Sequence, residues 1–171
     1  MAVLFVSHSS RDDAHASALA SWLIANGFDS VFIDHSGIAG GDKWREALRA
    51  NAQACRVVVC LVTQRWLASA ECFGEFMAAW YLGRRIVPLF LVPAASDLDD
   101  QARQRLGRVQ GEDQGLDISS CLGPDGTLDL DRDADVAERL ARGLRAAGAN
   151  TRVGLDPEAF AIDTKLREHP F

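Results

Sequence analysis

The sequence is poor in the features that mark secreted, membrane-spanning or zinc-binding proteins. Its four cysteines (Cys55, Cys60, Cys72 and Cys121) form no CxxC pair and have no histidine at zinc-finger spacing, which is typical of reduced thiols that bind no structural metal. No apolar run approaches the ~20 residues of a membrane-spanning helix, and the N-terminal MAVLFVSHSS lacks the basic flank of a signal peptide. We therefore expect a cytoplasmic protein with neither a membrane partner nor a metal.

The chain also lacks an excess of positive charge. Its formal net charge is −6 and its pI is near 5.1, so no basic surface for nucleic acid is expected. With 171 residues, of which 48% are hydrophobic, it can bury a full core. Neither an internal repeat nor a low-complexity tract divides it. These bounds predict one globular domain.

Short apolar segments alternate with amphipathic segments along the chain. The predicted strands cover residues 2–7, 30–34, 56–62, 85–92 and 115–119. The predicted helices are one capped by Ser10 and ended by Gly27, one from Asp42, one over residues 72–82, and one from Asp131 to Gly148. Residues 93–129 are otherwise polar, and Pro88 would ordinarily place the fourth strand at a sheet edge.

This alternation indicates βαβ units, and hence an α/β fold with a parallel sheet and right-handed crossovers. In such sheets ligands bind beyond the carboxyl ends of the strands, an edge that we call the carboxyl rim. The connections at residues 7–10, 34–41 and 63–75 all leave strands at this rim. We therefore expect them to converge on one site.

A glutamate that follows the third strand is the strongest catalytic candidate. Glu75 lies between Phe73 and Phe76 in SAECFGEFMAAW (69–80), where a helix is expected to begin. An acid in the first turn of a helix commonly stabilises the macrodipole, by roughly 0.3–1 kcal/mol. A partly desolvated carboxylate at the carboxyl rim could instead bind sugar hydroxyls and stabilise an oxocarbenium-like transition state. Both interpretations stay open on the sequence, whereas Glu71 fits a solvated acid.

Other residues near the strand ends allow two interpretations each. His8 and His35 follow strands and could donate to a phosphate, although loop histidines are commonly satisfied by protein neighbours. Trp44 could stack on a ligand or belong to the core. The glycines of HSGIAGG (35–41) match neither GxGxxG nor the Walker motif, so they predict no phosphate-binding loop.

Three stretches together resemble a bacterial Toll/interleukin-1 receptor (TIR) domain. They are VLFVSHSSRDD at the first strand, FIDHSGIAGGDKWREAL from the second, and RVVVCLVTQRWLASAECFGEF around the third. The resemblance covers residues 2 to about 148. It implies a flavodoxin-like three-layer sandwich, in which a parallel sheet of about five strands, ordered 2-1-3-4-5, has helices on both faces. Residues 1–148 would then form the TIR domain, and residues 149–171 a linker or C-terminal arm.

The resemblance also implies a site. Enzymatic members need the glutamate of a tryptophan–cysteine–x–x–glutamate motif to cleave NAD+ at its nicotinamide–ribose bond, so the matching Glu75 is the implied catalytic residue. Glu71 occupies the tryptophan position, where a stacking surface is therefore absent unless Trp66 or Trp80 replaces it. The implied substrate-binding residues are Ser7, His8, Ser9, Phe32, Asp34, Trp44 and Cys72. The implied assembly loop, the BB loop, comprises His35, Ser36, Gly37, Ile38, Ala39, Gly40 and Gly41.

Two functions remain. The resemblance implies an enzyme that self-associates and then converts NAD+ into nicotinamide and ADP-ribose or a cyclic isomer. Such an enzyme would act in bacterial immune or stress signalling. NAD+ would be its substrate, and no cofactor is expected. The alternative is a non-enzymatic adaptor that binds other TIR domains, which Glu71 favours. A phosphoacceptor receiver domain is disfavoured because SHSS, not an acidic cluster, follows the first strand, and the serines alone do not establish an FMN loop.

The C-terminal stretch carries a second resemblance. LDPEAFAIDTKLREHPF (155–171) is similar to the connector that joins an N-terminal TIR domain to a STAND-type nucleotide-binding module in bacterial multidomain proteins. The chain is then expected to be an N-terminal part of such a protein. We expect weak activity from the isolated domain, because the missing part would drive assembly.

Overall fold

The computed structural model describes residues 4–28, 31–33, 56–111 and 115–149. The strands are β1 Leu4–Ser7, β2 Val31–Ile33, β3 Val57–Thr63, β4 Arg85–Leu91 and β5 Leu116–Asp117. The α-helices are α1 Asp13–Ala25, α2 Gln64–Ala68, α3 Ala70–Tyr81, α4 Asp100–Gln110 and α5 Ala134–Ala146. Single 3₁₀ turns cover Ser10–Asp12, Ala95–Asp97, Ser119–Cys121 and Leu130–Arg132.

The strands are parallel and form one sheet in the order β2-β1-β3-β4-β5. β3 lies at its centre, and all seven of its residues are buried, which suits the β-branched run VVVCLVT. In the register of the sheet, Ser7 at the end of β1 lies opposite Cys60 of β3. The predicted α/β fold, with a parallel sheet and helices, is confirmed.

Helices cover both faces of this sheet. Leu19, Leu23 and Leu140 belong to a core on one face, which α1 and α5 cover. Phe76 and Leu106 belong to a second core on the other face, which α2, α3 and α4 cover. Each helix presents one apolar stripe to the sheet, as expected for this layer arrangement.

Helices α1 and α5 both begin later than predicted. Ser10 does not cap α1: Ser9 is the N-cap of a 3₁₀ turn, its Oγ accepts a hydrogen bond from the Arg11 amide at 3.4 Å, and α1 begins only after that turn. The last helix begins at Ala134 rather than Asp131, because the Asp133 side chain caps it by accepting from the Val136 amide at 3.2 Å. Aspartates and serines close together offer several caps, so the pattern does not single one out.

Helix α4 lies in the region interpreted as polar and irregular. Its buried side chains are Ala102, Leu106 and Val109, spaced four and three residues apart on one narrow stripe. Asp99 caps it by accepting from the Ala102 amide at 2.7 Å. The remaining positions are polar or charged residues and one glycine, so the helical period is not apparent in the sequence.

Pro88 does not place β4 at an edge. It lies opposite Cys60 in the pairing with β3, while β5 pairs only with Leu89 and Phe90. The stretch paired with β5 therefore begins after the proline.

Several predictions fall outside the described residues. They concern Asp34, the assembly loop at 35–41, the helix from Asp42 with Trp44, and the arm from residue 150 onward. In the part of the chain that the structure describes, no helix has both the length and the apolar composition needed to cross a membrane.

Candidate active site

The carboxyl ends of β1 and β3 lie side by side at the carboxyl rim. Ser7 ends β1 and Thr63 ends β3. The short helix α2 follows Thr63 directly, because the Thr63 hydroxyl accepts from the Trp66 amide at 3.1 Å and caps it. This arrangement carries the chain into α3 next to the loop that follows β1.

Glu75 occupies the second turn of α3, not the first. The helix begins at Ala70, with Ser69 as its cap accepting from the Cys72 amide at 3.2 Å. Glu71 is the acid of the first turn and is exposed, whereas Glu75 is half-buried. The first-turn placement of Glu75 was wrong because the cap lies three residues ahead of Cys72. The macrodipole, whose effect fades within the first turn, explains Glu71 better than Glu75.

Two consecutive hydrogen bonds connect Glu75 to side chains in the protein interior. The Trp66 indole Nε1–H donates to Ser7 Oγ at 3.1 Å, and Ser7 Oγ donates to Glu75 Oε2. An indole nitrogen only donates, so the serine oxygen accepts from it and turns its own proton towards the carboxylate. Ser7 is 1% exposed and Trp66 is 0% exposed. The carboxylate of Glu75 is therefore held as an acceptor by buried groups.

An aromatic cluster fixes Trp66 in place. Its ring meets Phe73 edge-on at a centroid distance of 6.4 Å, and Phe76 at 6.3 Å. Phe73 and Phe76 stack on each other at 5.7 Å. Because Trp66 is fully buried, it presents no face on which a substrate could stack in place of the tryptophan that Glu71 replaces. Trp80, in the last turn of α3, lies at the end of the helix away from the carboxyl rim.

The side chains after β1 are engaged within the protein. His8 Nε2 lies 2.7 Å from Asp13 Oδ1, and the His8 side chain is 2% exposed. Ser9 is buried and caps the 3₁₀ turn. The interpretation of His8 as a satisfied loop histidine agrees with this contact.

A buried carboxylate that the sequence did not reveal ties the two strand ends together. Asp12, 2% exposed, accepts from Thr63 Oγ1 at 2.6 Å and from Arg65 Nη1 at 2.9 Å. A carboxylate is rarely buried without such donors. Asp12 and Arg65 lie 53 positions apart in the sequence. The sequence indicated only that the two segments containing them follow strands that end at the same rim.

Beside this network lies an open hollow of about 390 Å³ at the carboxyl rim. It is lined by Ser9, Arg11, Gln64, Arg65, Ala68 and Ser69. Its arginines and the amino end of α3 favour anionic groups, although Asp12 offsets part of the charge of Arg65. Glu75 does not line it.

Cys72 lies one helical turn before Glu75 and is buried. Burial raises the pKa of its thiol to about 12, against a hydrogen bond with Ser69 that lowers it, and the charges of Glu75 and Glu71 raise it further. The thiol is therefore protonated near neutral pH. Among the described residues, no group of three or more His, Cys, Asp or Glu side chains could hold a metal ion.

The structure thus brings some of the predicted residues together. Ser7 and Glu75 are in contact. Cys72 lies close enough to Glu75 that the charge of this glutamate contributes to the raised pKa of the thiol. Phe32 lies in β2, but its side chain is outside the description, as are Asp34, Trp44 and the assembly loop. The roles assigned to these residues stay predictions.

Comparison with known families agrees with this fold. The sequence profile of the family described as TIR domain matches residues 4–118, from β1 to just past β5. The match spans more than half of the chain, which therefore belongs to the TIR domain family. TIR domains generally interact with other TIR domains. Helix α5 lies beyond the matched residues, and a search of curated proteins found no match.

Proposed function

We propose that the protein is a TIR-domain NAD+ hydrolase that cleaves the nicotinamide–ribose N-glycosidic bond when it self-associates. The observation that carries this proposal is the Glu75 carboxylate, half-buried on the second turn of α3 and held by Ser7 at the carboxyl rim. A carboxylate that is oriented before the substrate arrives can stabilise positive charge on a sugar ring as it forms.

In the proposed reaction, the negative charge of Glu75 is the main contribution of the protein. The bond between ribose C1′ and the pyridinium nitrogen breaks, and its electron pair leaves with nicotinamide, which becomes neutral. Glu75 stabilises the oxocarbenium-like ribose. Water then bonds to C1′ and loses a proton to solvent, which yields ADP-ribose; capture by an intramolecular nucleophile would yield a cyclic isomer. No metal or cofactor takes part.

The surrounding residues support a carboxylate mechanism rather than a thiol mechanism. Cys72 is buried and its pKa is raised to about 12, so it is a poor nucleophile near neutral pH. Ser7 is also buried, with its hydroxyl directed to Glu75, which favours a positioning role for it. The arginine-lined hollow at residues 9–11 and 64–69 would suit the phosphates of the dinucleotide.

Assembly would complete the enzyme. The loop formed by residues 35–41 is proposed to mediate TIR–TIR contacts and to border the pocket. The resemblance of residues 155–171 to a TIR–STAND connector fits a domain whose activity is switched on by clustering, in cytoplasmic immune or stress signalling in bacteria.

The test is to incubate the purified protein with NAD+ at high concentration, or clustered on a multivalent support, and to separate the products by chromatography. We expect nicotinamide to appear together with ADP-ribose or its cyclic isomer, and Glu75→Gln to abolish both. Turnover that survives in a folded Glu75→Gln variant would refute the proposed mechanism.

The second candidate is a non-enzymatic adaptor. It is favoured by exposed Glu71 at the position of the family tryptophan and by the burial of Trp66, which leaves neither residue as a stacking surface. A clustered protein that self-associates but never consumes NAD+ would establish this candidate instead.

A further inference from the structure

The hollow at the carboxyl rim is lined almost entirely by polar side chains. Its lining residues are Ser9, Arg11, Gln64, Arg65, Ala68 and Ser69. Two of these side chains are positively charged and none is negatively charged. Sites for ligands with rings are mainly apolar and contain aromatic side chains. The hollow, of about 390 Å³, therefore suits a small anion with several hydrogen-bond acceptors better than a base or a pyridine ring.

One of the two arginines is held by a buried carboxylate. Arg65 Nη1 donates to Asp12 Oδ1 at 2.9 Å, and the other oxygen of Asp12 accepts from Thr63 Oγ1 at 2.6 Å. The Asp12 side chain is 2% exposed, whereas that of Arg65 is 56% exposed. Asp12 thus lies behind the arginine and does not line the hollow.

The bond to Asp12 leaves most of the Arg65 guanidinium available for a ligand. Among the described residues, its bonds to Asp12 and to the Arg11 carbonyl oxygen, at 3.4 Å, both come from Nη1. The N–H groups of Nη2 and Nε can bind an anion, and the planar arginine fork matches two oxygens of a phosphate. Because Asp12 already orients the fork, less side-chain entropy is lost when a ligand binds.

The other charges near the hollow also favour a phosphate. Arg11 is exposed and lines the hollow, which adds a second positive charge. Asp13 and Glu71, the nearby acids in the sequence, do not line it, and Asp13 contacts His8 at 2.7 Å. A phosphate has enough oxygens to accept from both arginines at once, whereas a carboxylate has only two.

The hollow borders the groups that hold the candidate catalytic carboxylate. Ser9 follows Ser7 by two residues, and Ser7 donates to Glu75. Ser69 caps α3, the helix that carries Glu75 in its second turn. In a dinucleotide the pyrophosphate is joined to the reacting ribose through one methylene carbon, so the phosphate and the sugar must bind next to each other.

We propose that the hollow binds a phosphate group through Arg65, and that Asp12 is the positioning residue of this arginine. Two sources can supply the phosphate: the pyrophosphate of the dinucleotide, or a separate phosphate compound that binds beside the active site. The inference rests on the proposed function only if the dinucleotide is the source. In both cases Asp12, which no sequence motif singled out, acquires a role in binding.

Asp12→Asn separates positioning from simple electrostatics, because the two predict opposite results. Loss of a negative charge near the hollow should by itself tighten the binding of an anion. Loss of the group that holds Arg65 should weaken it, and we expect the dissociation constant of inorganic pyrophosphate to rise about three- to tenfold. In an Arg65→Gln background, Asp12→Asn should no longer weaken binding, because Asp12 acts through Arg65.

Binding of inorganic pyrophosphate to the whole chain is measured by isothermal titration calorimetry at constant ionic strength, without NAD+. We expect saturable binding by the wild type and binding at least about tenfold weaker in Arg65→Gln. Arg142→Gln is the matched control and should bind like the wild type, since this exposed arginine also pairs with a carboxylate, that of Glu138 at 2.7 Å, but lies outside the hollow. Circular dichroism and thermal unfolding verify that each variant is folded.

Three results would overturn the proposal. They are a wild type without saturable binding, a folded Arg65→Gln variant with wild-type affinity, and a folded Asp12→Asn variant that binds pyrophosphate more tightly. If Asp12→Asn does not fold, Arg65→Lys tests the same point. A single ammonium group cannot bind Asp12 and a phosphate through one planar fork, so binding should weaken at least about threefold although the charge is kept; unchanged affinity would count against positioning.

A competition experiment distinguishes the two sources of the phosphate. Pyrophosphate is titrated into the Glu75→Gln variant in the presence of saturating NAD+. If the dinucleotide supplies the phosphate, NAD+ should abolish the binding of pyrophosphate, whereas binding that persists assigns the hollow to a separate phosphate compound. A wild type that binds pyrophosphate through Arg65 but never releases nicotinamide would retain the phosphate site and refute only the proposed function.

Discussion

Ser7 and Glu75 are joined by a hydrogen bond in which the serine hydroxyl donates to the carboxylate across 68 residues of sequence. This bond connects the end of β1 to the second turn of α3, and the indole of Trp66 donates to the same serine from the interior. The orientation of the candidate catalytic carboxylate thus depends on side chains that are themselves buried. Kinetic and stability measurements on variants of Ser7 and Trp66 separate this positioning role from a purely structural one.

Removing the serine hydroxyl should impair turnover more than substrate binding. In Ser7→Ala, Glu75 loses a donor, and hydrogen bonds to charged groups contribute about 1.5–3 kcal/mol, so we expect kcat to fall roughly 10- to 100-fold. KM should change little, since Ser7 is buried. Steady-state kinetics of the clustered protein measure both constants, with the exposed Ser10→Ala as the control. A folded Ser7→Ala variant with wild-type kcat would exclude the positioning role.

Removing the indole donor should weaken the fold. Trp66→Phe keeps an aromatic ring beside Phe73 and Phe76 but leaves the buried Ser7 oxygen without its donor, which should lower the free energy of unfolding by about 1–3 kcal/mol. Urea denaturation measures this, and Trp80→Phe at an exposed site should change it by less than about 0.5 kcal/mol. If the bonds act as a unit, the double variant with Ser7→Ala should deviate from additivity by at least about 0.5 kcal/mol; strict additivity would count against a coupled pair.

Cys72 should be unreactive in the folded protein. Because burial raises the pKa of its thiol to about 12, iodoacetamide at pH 8 should label it only after unfolding, as mass spectrometry of the peptide would show. The same shift predicts a pH dependence. A thiol whose pKa is raised by folding contributes stability below its unfolded pKa of about 8.5 and loses it as pH rises towards the folded pKa of about 12. Cys72→Ala should therefore flatten the alkaline decline in stability, and rapid labelling of native Cys72 would contradict its burial.

The buried Asp12 should matter for stability at the carboxyl rim. Asp12→Asn weakens its bonds to Thr63 and Arg65, and we expect the free energy of unfolding to fall by about 1–3 kcal/mol. The matched change, Asp100→Asn, removes a carboxylate that is 92% exposed, lies in the first turn of α4 and pairs with Arg103, so it should alter stability by less than about 1 kcal/mol. Chemical denaturation of both variants tests the difference. Equal small effects would mean that the network contributes little.

The parts of the fold that the sequence predicted are those in which one signal dominates. The run VVVCLVT is apolar and rich in β-branched residues, so it predicted a buried central strand. Helix α4 was missed because just three of its side chains are buried, Ala102, Leu106 and Val109, and a stripe this narrow is not visible in a polar segment. Strand and helix ends shifted by one to three residues, since neighbouring serines and aspartates compete as caps.

The site was predictable in outline and not in detail. Topology alone places Ser7 and Glu75 at the same rim, because the carboxyl ends of parallel strands lie together. The detail of the site depends on where α3 begins. Because Ser69 caps this helix, Glu75 lies in its second turn, where it contacts Ser7 at the end of β1. That Trp66 would donate to Ser7 depends on side-chain packing around two phenylalanines, which no local pattern encodes.

The most direct test of the central claim compares the two glutamates of α3, Glu71 and Glu75, which lie about one turn apart. Glu71→Gln and Glu75→Gln remove the same charge from the same helix, but only Glu75 is bonded to Ser7. We predict that, under clustering, Glu71→Gln hydrolyses NAD+ at a rate near that of the wild type, whereas Glu75→Gln releases no nicotinamide above background. Equal rates in the two folded variants would contradict the account.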